Sequence, residues 1–294
     1  MYYRRKILLA LLEAFDNRLD KISLQKLLLL VSKRQLTPDF HFVPYKYGCY
    51  SFQAAADLQT MIKYNQVAKQ CDDWVKTDNE KYLASLKVSD RQAICYIKQA
   101  YGNKTSDELI RITYLKYPQL AINSVVAKDK LSPDEYQKII DAKPQSNKTI
   151  LFTIGYQGVS LEEFINKLIV NDVKVLCDVR KNSFSMKFGF SKSQLQTACN
   201  GVGIEFIHIP QLGIDSDKRQ ELNTQSDYDN LFARYRTDVL TQTQAYQDQL
   251  IGLLKNYKRI ALTCFEANIH QCHRKHLADA IANHPSFAYE LKHI

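Results

Sequence analysis

Four short apolar runs in the second half of the chain set the tightest limit on its fold. Residues 149–154 (TILFTI), 173–179 (VKVLCDV), 203–209 (GIEFIHI) and 259–265 (RIALTCF) are rich in β-branched and aromatic residues and apolar almost throughout. A strand that is apolar on both faces is one buried on both faces, as in a parallel sheet covered by helices. The intervening segments carry helical spacing: 161–170, 193–200, one or two helices over 231–257, and 273–282. Ser160 stands where a helix cap is needed, with Glu162 and Glu163 in the first turn behind it. Strand alternating with helix predicts parallel pairing through right-handed crossovers, hence a Rossmann-like α/β domain over residues 149–294.

The first half has a different texture. Residues 4–15 and 24–33 carry apolar side chains at helical spacing, and 52–63, 90–101 and 106–117 read the same way. Between them, residues 38–51 form an aromatic stretch bracketed by Pro and Gly, which predicts a β-hairpin. Short strands are expected at 65–68, 74–75 and 82–83. Residues 1–143 therefore read as a mainly helical, winged-helix-like binding module. The polar, aperiodic stretch 143–148 (KPQSNK) reads as the linker.

At 294 residues, two domains are the default. Seven cysteines, an odd number at irregular spacing, argue against a disulfide framework and for reduced thiols. The longest apolar run, 27–31, falls far short of the roughly 20 residues of a membrane span. A cytoplasmic protein is expected, with no membrane partner. Charge is uneven: Lys+Arg minus Asp+Glu is 23 − 16 = +7 over residues 1–146 and 17 − 15 = +2 over 147–294. An excess of positive charge in one half suits nucleic acid or an acidic protein partner. A solvated lysine-rich surface explains it equally well.

In an open parallel sheet, ligands bind beyond the C-terminal ends of the strands. The first run ends in Gly155, Tyr156, Gln157 and Gly158, the second in Asp178 and Arg180. The third ends in His208 and Pro210. The fourth ends in Cys264 and Glu266, before a loop to Cys272, His273 and Arg274 at a helix start. In an Asp-Val-Arg strand end, Asp and Arg share a face and Val179 turns away. Arg180 suits an anionic substrate group, and Asp178 would act as a base, hold that arginine, or simply close the strand as a salt bridge. Cys272 at a helix N-terminus beside His273 and Arg274 is placed for a lowered thiol pKa and nucleophilic attack. Glu266 would be a general acid/base or orient His273. Cys264 reads as a buried strand residue and His208 as a structural one or a substrate contact. The loop 181–192 offers Lys187 and aromatic residues to a phosphate or base, and 211–216 would form another pocket loop.

No cofactor is expected. Neither a Gly-Lys-Ser phosphate loop nor a Gly-x-Gly-x-x-Gly turn follows a strand, so ATP-driven and dinucleotide redox chemistry find no support. Cys264 and Cys272 lie too far apart in sequence for the paired spacing of a structural zinc site, even with His270, His273 and His276 nearby, so no metal is expected either.

The segments TIGYQG, SLEEFI, LCDVRKN, KFGFSK, IEFIHIPQLGI and LTCFEANIHQCHR, in this order over nearly all of residues 149–285, resemble the DUF488 family. The resemblance implies an α/β fold and points to Tyr156, Asp178, Arg180, Glu266, Cys272, His273 and Arg274 as the family's site, with no established reaction. Its members are associated with bacterial nucleic-acid processing and phage-defence genes. Ser183 stands where the family usually has Pro, and Met186 where it usually has a basic residue, which bears on the loop's anion contacts. In the first half, SLQKLLLLV, FVPYKYGCYSF and TYLKYPQLAINS, over about residues 3–125, look like the Panacea antitoxin-like domain, which implies a protein partner.

The expected activity is that of an enzyme on a nucleotide, a nucleic-acid base or another phosphate-bearing substrate. Arg180 and Arg274 would bind the anion, with Tyr156, Lys187 and His208 as further substrate contacts. Asp178 or Glu266 would move protons, and Cys272 with His273 would be the nucleophile pair. The alternatives are a non-catalytic nucleotide-sensing or antitoxin-like module and a DNA-binding regulator.

Overall fold

The computed structural model describes residues 1–215, 217 and 222–294. The chain divides into two units, Met1–Lys143 and Pro144–Ile294.

The N-terminal unit is mainly helical with small antiparallel sheets. Its elements are α1 (Tyr3–Ala14), β1 (Arg18–Asp20), α2 (Lys21–Ser32), β2 (Val43–Tyr45), β3 (Gly48–Tyr50), α3 (Phe52–Lys63), β4 (Val67–Gln70), β5 (Asp73–Lys76), α4 (Val88–Tyr101), α5 (Ser106–Lys116), α6 (Ala127–Lys130) and α7 (Pro133–Asp141). Helix α2 is central, buried from Ser23 to Ser32, and Asp20 caps it by accepting from the Ile22 and Ser23 backbone N–H groups. The aromatic stretch is the antiparallel hairpin β2–β3, and β1, β5 and β4 form a three-stranded sheet. The expected strand at 82–83 is absent: Leu83–Ser85 is a turn of 3₁₀-helix, held by the Glu13 carboxylate accepting from Tyr82 and Leu83 N–H.

The C-terminal unit runs β6 (Ile150–Gly155), α8 (Leu161–Val170), β7 (Val175–Asp178), α9 (Lys192–Gly201), β8 (Glu205–His208), α10 (Gln225–Arg234), a π-helical turn Tyr235–Leu240, α11 (Gln244–Tyr257), β9 (Arg259–Cys264), α12 (His273–Ala282) and β10 (Glu290–His293). The sheet order is β10-β6-β9-β7-β8, parallel throughout. Strand β10 escaped the sequence reading because ELKH is exposed or half-exposed, as suits an edge. Leu151, Val175, Cys177, Ile260 and Leu262 bury one sheet face under Phe232 of α10, Leu250 and Leu254 of α11, and Leu277 and Ile281 of α12. Right-handed crossovers place α8 and α9 on the other face.

Ser146 to Lys148, expected as linker, are held by the C-terminal unit. The buried Arg259 guanidinium donates to Ser146 Oγ (3.1 Å) and to the Lys148 carbonyl (3.0 Å), and the Asp172 carboxylate accepts from Ser146 N–H (3.1 Å). Ser146 and Lys148 therefore belong to the C-terminal unit rather than to a linker. No helix among the described residues is long and apolar enough to cross a membrane.

The topology locates the crevice. The connection leaving β7 runs outward to β8, whereas the one leaving β9 runs the opposite way across β6 to β10. These neighbouring strands diverge at their C-terminal ends, and such a switch point is where an open α/β sheet has room for a ligand.

Leu262 lies fully buried on the central strand. Leu262→Ala is expected to cost about 2–5 kcal/mol, read as a lower urea midpoint for the C-terminal unit with its unfolding slope unchanged.

Candidate functional site

At the end of β7 the chain buries a charged pair. Asp178 is 0% exposed and Arg180 5%. Arg180 donates from Nε to Asp178 Oδ1 (2.8 Å) and from Nη2 to Oδ2 (2.6 Å), and its backbone N–H reaches Oδ1 at 3.1 Å. Nη1 donates to the Tyr156 hydroxyl at 2.6 Å. Burial alone would lower the arginine pKa, but its contacts with Asp178 and Tyr156 reverse the sign and raise it. Three of the five guanidinium N–H donors are used in this way. One on each terminal nitrogen remains, on a side chain that walls a cavity of about 610 Å³.

Backbone carbonyls are pinned just as firmly. His208 donates from Nε2 to the Arg180 carbonyl (2.9 Å), and His273 from Nε2 to the Val179 carbonyl (3.1 Å), since a carbonyl can only accept. Neutral His273 is thereby left with a bare Nδ1, 3.6 Å from Cys264 Sγ. The Cys264 thiol also reaches Glu266 Oε2 at 3.3 Å. Tyr235, the first residue of the π-helical turn, packs edge-on against the His273 ring and donates its hydroxyl to the Leu212 carbonyl.

The β6 end supplies the opposite wall. Tyr156 stacks on Phe190 at 4.2 Å with the rings nearly parallel, and both meet Phe164 edge-on. Gly155 is required where it stands: a Cβ there would lie 1.9 Å from the Glu266 carbonyl oxygen. A Cβ on Gly213 would sit 2.1 Å from Lys181 N, so that residue too is a close-approach glycine, at the end of a short 3₁₀ turn.

The cavity is walled by Tyr156, Arg180, Glu266, His273 and Cys264 from the strand ends. Lys181, Asn182, Phe184, Ser185, Ile214, Leu222, Asn223, Tyr228 and Phe265 also line it. Phe184 is 72% exposed and Phe265 41%, so two aromatic rings stand at a polar opening.

Several expected site residues take other positions. Asp178, expected to move protons, lies beneath Arg180 with both oxygens committed to it, which makes it a positioning residue. Arg274 does not face the cavity. Its Nη1 donates to the Glu266 carbonyl (2.5 Å) and its Nη2 to the Ala267 carbonyl (3.3 Å), so its charge shapes the 266–267 loop. Lys187 donates to the Tyr156 carbonyl (2.6 Å) and burial lowers its pKa, so it braces Tyr156. His208 holds backbone in the same way. Cys272 stands at the N-terminus of α12 as expected, yet its sulfur is buried and outside the cavity wall as the described residues line it. Burial and the Cys264 contact push its thiol pKa well up, outweighing Arg274, where a helix N-terminus was expected to lower it. The sulfur at the cavity floor is that of Cys264, read from sequence as mere core. Of the expected loop 211–216, Ile214 reaches the cavity and Ser216 lies outside the described residues. From the expected loop 181–192, Asn182, Phe184 and Ser185 reach the cavity, whereas Asn223, Tyr228 and Tyr235 escape the sequence reading, because lone polar or aromatic residues in loops and helices carry no spacing signal.

Removing one partner of the buried pair leaves the other charge uncompensated. Asp178→Ala is expected to cost about 3–5 kcal/mol. The double variant Asp178→Leu/Arg180→Met should recover most of it. Equal losses in urea unfolding of the two variants would show that the pair is not the source of the cost.

No curated protein and no solved structure matches the chain. The model of the domain of unknown function DUF488 matches residues 160–281, from the cap of α8 to the last turn of α12, and the Cys264, Glu266, Cys272, His273 and Arg180 positions all fall inside that match.

Proposed function

We propose that the C-terminal unit is an enzyme acting on a nucleotide, a nucleic-acid base or another phosphate-bearing substrate in the switch-point cavity. The observation carrying this reading is that a preorganised guanidinium and a carboxylate wall one polar cavity with exposed aromatic rings at its opening. Arg180 is held rigid by Asp178 and Tyr156 and keeps two N–H donors for an anion, which suits phosphate or carboxylate oxygens. Phe184, Phe265 and Tyr228 offer ring faces for a base, and Asn182 and Asn223 offer amides for its edges. Glu266 carries the proton: among the described residues it is the carboxylate that walls the cavity, and both Asp178 oxygens hold Arg180. The backbone carbonyl of Glu266 is fixed by Arg274, which limits the reach of its side chain.

The charge excess of the first half, +7 for residues 1–146 against +2 for the rest, supports recruitment of nucleic acid or an acidic protein by that half. A place in bacterial nucleic-acid processing or phage defence, in the cytoplasm, accords with that reading.

Native mass spectrometry of the freshly purified full chain is expected to find a phosphate-bearing ligand, and a panel of nucleotides is expected to include one that is turned over. Glu266→Gln should reduce that turnover by about 10²-fold or more with the fold intact by circular dichroism. Arg180→Lys should weaken substrate binding by about tenfold, because an ammonium cannot reproduce the fork. Undiminished turnover by Glu266→Gln would remove the carboxylate from the mechanism. Tight binding with no product from any candidate would make the unit a sensing module.

A further inference from the structure

We propose that Cys264, Cys272 and His273 bind a thiophilic divalent cation of the zinc type, with Glu266 at the side open to the cavity. Seven residues stand between the two cysteines in sequence, but the loop after β9 returns so that α12 begins beside the strand's end. Cys264 Sγ, Cys272 Sγ and a ring nitrogen of His273 all lie within 4.8 Å of one another, and all three residues are buried. The spacing fits one ion: zinc-ligand bonds of about 2.3 Å to sulfur and 2.0 Å to nitrogen at a tetrahedral angle put the two atoms about 3.5 Å apart, and Cys264 Sγ stands 3.6 Å from His273 Nδ1.

Two further features suit coordination. His273 donates its other ring nitrogen to the Val179 carbonyl, the outer contact that orients a metal-bound imidazole and leaves the facing lone pair available. Two thiols and an imidazole also form a soft donor set, which favours zinc over magnesium or calcium. Binding releases two thiol protons to solvent. The divalent ion and two thiolates then sum to zero charge, the form in which such a cluster tolerates full burial.

Three protein ligands with one side open is the arrangement of a catalytic rather than a structural zinc. Glu266 Oε2 is 3.3 Å from Cys264 Sγ, and both residues wall the cavity. The open position therefore faces the substrate space, with a carboxylate beside it to accept a proton from metal-bound water. This deepens the enzyme reading and rests on it only for the role of the water; the coordination stands by itself.

The test uses the full chain, reduced, stripped of metal with a chelator, and titrated with Co²⁺ under anaerobic conditions. The expected result is saturation at a single Co²⁺ per chain, with a thiolate-to-cobalt charge-transfer band and the visible bands of a tetrahedral ion. Cys264→Ser and Cys272→Ser should each weaken the charge-transfer band, and His273→Gln should weaken affinity. The double variant Cys71→Ser/Cys95→Ser, which removes the two exposed cysteines, should leave the band unchanged. Wild-type protein that shows no such band, with both thiols confirmed as reduced by peptide mapping, overturns the proposal, as does a band lost only in the Cys71/Cys95 variant. Glu266→Gln should keep the charge-transfer band, so lost turnover with the band retained bears on Glu266 alone. A band without any turnover sinks the enzyme reading and leaves the metal site standing.

Discussion

The pair Asp178–Arg180 is the constraint around which the C-terminal unit is arranged. A carboxylate at 0% exposure would be costly alone, and so would the guanidinium beside it. Together they close a bidentate contact two residues apart, at the end of β7, where alternation along the chain puts both side chains on one side. Once Asp178 is buried, Arg180 must sit above it, Tyr156 must offer its hydroxyl, and the Tyr156 ring must lie on Phe190. Lys187 then finds the Tyr156 carbonyl. What reads along the chain as a row of substrate contacts is mostly a scaffold that fixes one cation in place.

The same economy governs the backbone. Two imidazoles hold consecutive carbonyls of residues 179 and 180, and Arg274 holds the consecutive carbonyls of 266 and 267. The ends of β7 and β9 are therefore set by side chains from β8 and α12. Gly155 lets the returning loop come close, since any side chain there would occupy the space of the Glu266 carbonyl. The outcome is a short list of groups facing the cavity on a backbone with little room to shift, which is the condition for chemistry that depends on orientation.

Much of the architecture was legible in the sequence because its signals are local. The helices 161–170 and 273–282 were read to their boundaries, the first from its cap and acidic first turn and the second from its periodicity. The four buried strands declared themselves by apolar composition. Helix α7 went unread although Ser132, Pro133 and Glu135 carry such a signal, but the other unread elements lack one. Strand β10 is polar and exists because it pairs with β6, β1 is a three-residue edge, and Leu83–Ser85 turns because Glu13 caps it from α1. The six residues 143–148 read as a polar linker, but Arg259 claims two of them, Ser146 and Lys148, from over a hundred positions away.

The sequence by itself determined that the second half is a parallel α/β domain, and that Tyr156, Arg180, Glu266 and His273 gather at its strand ends, because alternation and strand order follow from local pattern and general topology. It also named the right neighbourhood for the cysteines. Only the tertiary structure decided the roles within that neighbourhood. Whether Asp178 moves a proton or holds a cation depends on burial and on which nitrogens reach its oxygens. Whether Cys264 or Cys272 meets the cavity depends on which way β9 turns its last side chain and where α12 begins. These outcomes are fixed by contacts between residues distant in sequence and differ by a few ångströms, a scale at which composition and spacing carry no information.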